Sequence, residues 1–186
     1  MQASAVSAPP KRFFRRFRRN DSGSAAVEFS LVAVPFFALL FAIIETGIVF
    51  FAGQVLESAV QDSGRLVYTN QMTGVNTTAT QFKSDLCARV AVLMNCTNID
   101  IDIKYYPAGS TITIVDPIDG SGNYDTSGLG FNIPAANSTG TVVIRGFYRW
   151  PLIVTGLGYN IANIGRNTAN SKRLLTGLTA FHVEPS

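Results

Sequence analysis

The stretch GSAAVEFSLVAVPFFALLFAIIETGIVFFA, residues 23–52, decides how this chain is built. From Ala25 to Ala52 the ionisable side chains are Glu28 and Glu45 alone, and the interval between them holds Phe29, Leu31, Val32, Phe36, Phe37, Leu39, Leu40, Phe41, Ile43 and Ile44. At about 1.5 Å per residue the run makes roughly 42 Å of helix, more than the ~30 Å of bilayer hydrocarbon. It crosses a membrane once, with tilt or with an exposed end. No other stretch of the 186 residues approaches that length. A cleaved secretory signal is disfavoured, because its apolar core would be only about 7 to 15 residues long. Large aromatics, Phe50 and Phe51, also stand where small residues would be needed. Pro35 removes one backbone donor within the span and is expected to kink it.

Upstream, Lys11, Arg12, Arg15, Arg16, Arg18 and Arg19 precede the span with only Asp21 to oppose them. Such clusters stay on the cytoplasmic side, which leaves the rest of the chain outside. The formal charge of +3 belongs to this leader: nine of fifteen basic residues and eleven of twelve acids lie after Gly23, a balance of −2. Phe13, Phe14 and Phe17 interleave the arginines, a pattern that also suits a nucleic-acid or lipid surface. A topology signal beside a span accounts for it more simply, and no nucleic-acid partner is expected.

Gly23, the small residues Ser24 to Val27, and then Glu28-Phe29 resemble the processing site of type IV pilin-like proteins. Together with Ile44-Glu45-Thr46-Gly47 and the C-terminal segments 174–176 and 183–185, they are similar to TadE-like minor pseudopilins of the tight-adherence (Tad/Flp) pilus. Thr46 and His182-Val183 depart from the pattern, where an aromatic residue and an Arg-Asn pair would be expected. The resemblance implies that a membrane prepilin peptidase cuts after Gly23 and leaves Ser24 as the first mature residue. It also implies partners among other minor pseudopilins, Tad pilus assembly proteins and membrane lipid. The protein would sit in a bacterial inner membrane, single-pass, with its C-terminal domain periplasmic.

The chemistry agrees with that implication. Glycine disfavours helix at the cut and admits close approach of a peptidase. Cutting there exposes an α-amine on Ser24, and an ionised Glu28 near the head of the span is far less costly beside a positive amine than alone. Among parallel stems the amine can come from a neighbour, which makes Glu28 an assembly residue. The plainer alternative is that Glu28 lies at headgroup level. Glu45 stands about 26 Å further along the axis and is expected to face water at the outer boundary.

Beyond Phe51 the helix is expected to continue, because Ala52, Leu56, Ala59, Val60, Ser63 and Val67 recur at helical spacing. A helix of about 45 residues would reach roughly 68 Å, weakening at Gly64 and ending in the Asn70 to Asn76 region. A second helix is expected over 80–95, with Phe82, Leu86 and Val90 on one face. Cys87 and Cys96 would lie ~13 Å apart on one unbroken helix, beyond disulfide reach. If they pair, the helix must turn back before Cys96; otherwise they are two buried thiols.

Strands are expected at Ile99 to Lys104, Thr111 to Val115, Thr141 to Tyr148 and Leu178 to Glu184, with one long loop over Asp116 to Gly140. The fold class is therefore α+β: a long N-terminal helix with a transmembrane first half, a second helix, and a small antiparallel sheet packed on it. The pilin likeness fits this order. The organisation is 1–23 leader, 24–52 span and 53–186 extracytoplasmic domain. Trp150 to Ile164 is apolar for a loop and is either core or a subunit contact.

One His and two Cys supply no transition-metal cluster, and His182 in an alternating strand is a surface or core residue rather than a base. Asp116, Asp119, Asn123 and Asp125 do not fit a calcium loop: from Asp116, Ile118 falls at a ligand position. No cofactor, metal or catalytic residue is expected, and the chain reads as an assembly protein rather than an enzyme. The alternative reading is an uncleaved, membrane-anchored binding or sensing domain.

Overall fold

The structure, a computed structural model, describes residues 23–69, 78–135, 137–157 and 159–184. The basic leader and the Asn70 to Asn76 segment lie outside the described residues. Two compact units divide the chain, one ending at Phe41 and one from Ala42 to Ser186. Among the described residues, helix α1 (Ser24–Tyr68), helix α2 (Ala79–Val90) and strands β1 (Ile99–Pro107), β2 (Gly140–Pro151) and β3 (Lys172–Val183) follow in that order. The fold is α+β.

In the first unit α1 is apolar and outward-facing: Val27, Phe29, Leu31, Val32, Val34, Phe36 and Leu39 are all exposed. It is long and apolar enough to cross a membrane. In the second unit α1 buries a stripe that steps by three and four, through Ala42, Glu45, Val49, Ala52, Leu56, Ala59, Val60, Ser63, Gly64 and Val67. All six residues of the expected stripe are in it. Gly64 does not weaken the helix. It lies under β3, where an added Cβ would stand 2.7 Å from Thr179 Cγ2.

Helix α2 starts one residue earlier than its apolar spacing suggests because Thr78 and Gln81 form a reciprocal capping box. It ends at Val90, and a turn with a short 3-10 segment (Cys96–Asn98) brings Cys96 back to Cys87. The two form a disulfide with a Cα–Cα distance of 5.6 Å, as the turn-back condition requires.

The sheet is antiparallel in the order β1-β2-β3, with Ile103 opposite Ile144, Gly146 opposite Gly177, and Asp102 opposite Arg145. Ile99, Ile103, Val142, Ile144, Tyr148 and Leu175 share one core with the α1 stripe and with Phe82, Leu86 and Val90 of α2. Strand β3 begins six residues before the expected Leu178. Thr111 to Val115 is no strand: its residues are exposed and carry no ladder, although Thr113 O accepts the Tyr106 hydroxyl at 2.6 Å. β-branched residues permit extension, but a strand needs a partner edge.

After β1 the chain returns to pair with the β1 edge, where Ile103 and Phe131 form a parallel bridge, and Val115 and Gly130 reach the Asp102–Arg145 pair. There Asp102 and Arg145, 1 % and 4 % exposed, form a buried ion pair at 2.6 Å. Gly130 N–H donates to Asp102 Oδ1 at 2.8 Å, and Arg145 Nη1 donates to Val115 O at 2.7 Å.

Candidate functional site

Gly23 is exposed, and a Cβ placed on it would meet nothing within 4 Å. Helix α1 begins at the next residue, Ser24. One turn later Glu28 is exposed, and its Oε1 accepts the Ser24 hydroxyl at 3.3 Å. Phe29 follows, also exposed. The order is thus an open glycine, a helix start, then a carboxylate and an aromatic on an apolar stem. Glu28 lies just past the first turn of α1, and a positive amine at the helix start would favour its ionised form.

The second carboxylate of the stem behaves differently. Glu45 does not face water: it is 8 % exposed. Its Oε1 accepts the Ile153 N–H, and its Oε2 accepts the Val154 N–H at 3.1 Å. Those amides open the short 3-10 segment Val154–Leu157, whose first donors have no partner of their own. Thr46 adds a hydroxyl bond to Tyr159 at 3.2 Å. The signal for this burial was present in the spacing: stepping back from Ala52 by three and four gives Val49, Glu45 and Ala42. Glu45 occupies a core position of a stripe recognised only from Ala52 onward.

Removing that acceptor has a measurable consequence. Glu45→Ala is expected to lower stability by about 1 to 3 kcal/mol, because the buried Val154 amide and the part-buried Ile153 amide lose their partner. Glu45→Gln keeps one acceptor oxygen and should lose less. Hydrogen exchange at the Val154 amide, faster in the alanine variant, reads the effect.

The remaining polar groups are structural in arrangement. Asp119 and Asp125 accept N–H groups of their own loops, from Ser121, Asn123 and Ser127. Those bonds, chiefly from Asn123 to Asp119 and from Ser127 to Asp125, hold both carboxyls below the usual range. Burial, then the Asp100 carboxylate beside it, pushes the Tyr124 phenol upward. Among the described residues no group of three or more His, Cys, Asp or Glu is placed to hold a metal ion. His182 is exposed on β3, opposite Thr141. Trp150, Leu152 and Ile161 pack against the core, so the apolar 150–164 segment is partly interior, yet Ile153 is 89 % exposed.

With the stem described, its likeness to known proteins can be placed. Residues 23–65 match the family model described as TadE-like protein. No curated protein and no solved structure matches the chain. The TadE-like segment begins at Gly23, takes in Glu28 and Glu45, and ends within α1. The 121 residues after it carry the disulfide, the sheet and the loop that grips Glu45.

Proposed function

We propose that this protein is a minor pseudopilin that takes part in assembling or priming a tight-adherence pilus for surface adhesion. A prepilin peptidase removes the leader behind Gly23. Helix α1 then holds the protein in the inner membrane with the folded unit outside, alongside other minor pseudopilins and the pilus assembly proteins. The observation that carries this reading is the TadE-like match over 23–65, opening on an exposed glycine that directly precedes an outward-facing apolar helix. The disulfide supports an extracytoplasmic place for the second unit, since such bonds persist in oxidising compartments.

In this reading Glu28 recruits. Its carboxylate is exposed one turn into the stem, and among parallel stems in lipid it is stabilised by the α-amine of a neighbouring Ser24. The bond pins the axial register of one stem against the next.

Mass spectrometry of the protein extracted from membranes tests the reading. A mature start at Ser24 is expected, with Gly23→Leu retaining the leader. Glu28→Gln should still be cut but should recover pilus components poorly. A retained leader in cells that make the organelle would instead describe an uncleaved anchor with a binding or sensing domain.

A further inference from the structure

The end of the second unit that grips Glu45 has the composition of a membrane-resting surface. If α1 enters the hydrocarbon near Val27, about 20 residues cover its ~30 Å, which brings the far boundary close to Thr46. Exposed apolar side chains nevertheless continue past that point on α1, at Ile48, Phe50 and Phe51. Glu45 therefore sits inside an apolar belt, where a carboxylate facing lipid is costly. The chain withdraws it by turning it onto the stripe and covering it with the Ile153 and Val154 amides.

That bonding fixes Ile153, Val154 and Tyr159 at the depth of residues 45 and 46. Ile153 is then presented bare beside the belt, 89 % exposed. Trp150 lies half-buried at the same end, and the Tyr159 hydroxyl reaches Thr46. Lys172 and Arg173 stand opposite Pro151 and Trp150 in the sheet register. From 126 to 183 the sequence has five Lys or Arg and no acid. Tryptophan, tyrosine and basic residues around an apolar tip are the mixture that the headgroup region favours, and anionic headgroups attract the cations.

We propose that this end of the folded unit is an interfacial foot: Ile153 enters the edge of the hydrocarbon on the folded unit's side, Trp150 and Tyr159 lie among headgroups, and Lys172 and Arg173 hold anionic phospholipid. The proposal rests on the reading of α1 as a membrane span. The foot seats the folded unit on the bilayer before assembly, and lifting the stem out must first extract it.

The native cysteines are bonded to each other, so one introduced cysteine is the sole free thiol. Full-length Ile153→Cys, Leu39→Cys and Val92→Cys variants are labelled with a polarity-sensitive dye. Each is placed in vesicles of phosphatidylcholine and phosphatidylglycerol whose acyl chains carry bromine as a quencher. The dye at 153 is expected to shift to the blue and be quenched, as at 39 in the span, while the dye at 92, fully exposed after α2, does neither. A dye at 153 that behaves like the one at 92, with 39 quenched, overturns the foot and leaves the span. A dye at 39 that escapes quenching overturns the span and the foot with it. A blue shift at 153 without quenching, lost on dilution of protein in lipid, assigns the surface to a second copy of the chain and also overturns the proposal.

Discussion

Arg145→Met is expected to lower the stability of the folded unit by about 3 to 5 kcal/mol, a large part of the roughly 5 to 15 kcal/mol that keeps a domain folded. The size follows from what is left behind. Asp102 is 1 % exposed and directly opposite Arg145, whose Nε and Nη2 both donate to its Oδ2. Its other oxygen accepts only one short bond, from Gly130 N–H, with Lys104 Nζ at 3.9 Å. Methionine fills the space of the aliphatic stem but leaves a buried carboxylate without its guanidinium, and Val115 O without its donor. The surface pairs of Arg89 with Asp62 and Asp85 provide the contrast. Each is water-exposed, and breaking one should cost about 1 kcal/mol or less.

A double change separates desolvation from attraction. Asp102→Leu with Arg145→Met removes both charges, so its loss should be well below that of Arg145→Met alone. Urea unfolding in detergent, which leaves charge unscreened, followed by the fluorescence of the single Trp150, measures both. A loss under about 1 kcal/mol for Arg145→Met would mean the pair stands in water.

That pair also shows where the sequence stopped being legible. The strand expected at Ile99 to Lys104 is present as part of β1, and its isoleucines alternate with Asp100, Asp102 and Lys104. Period two says which side chains share a face, but not what covers it. Gly130 and Val115, from beyond β1, bond to Asp102 and Arg145, so Asp102 is buried with a partner 43 positions away. The same reasoning explains Glu45, whose acceptor role depends on a loop 108 residues downstream. Helical spacing is local, and it recovered the α1 stripe and the Phe82, Leu86 and Val90 face. The start of α2 was legible too, in Thr78 and Gln81, but only to a reading that looks for caps rather than apolar spacing. Gly23 and Glu28 lie within one short run, so the processing and docking roles proposed for them depend on no distant segment.

Gly177→Ala tests the approach of β3 to the α1 backbone, and it is expected to destabilise by about 1 to 3 kcal/mol, with valine at or above the upper end. Elsewhere in a strand the same change would be mildly favourable, since alanine loses less backbone entropy on folding than glycine does. The sign is reversed here by contact with a helix backbone. A Cβ on Gly177 would lie 2.9 Å from Leu56 O and 3.0 Å from Glu57 Cα, and neither atom can rotate away. Val60 Cγ2 stands 3.0 Å from the same point, but Gly146, the partner across β2 and β3, is crowded by side chains alone, with Val60 Cγ2 at 2.6 Å. Val60→Ala should therefore recover more of the loss caused by Gly146→Ala than of that caused by Gly177→Ala, where the helix backbone stays in the way. Equal rescue of both would show that α1 yields as a body, and the two glycines would then not set the height of the helix above the sheet. If they do set it, every residue of the α1 stripe from Leu56 to Val67 is positioned by them, and a Cβ at 177 disturbs the whole interface rather than one contact.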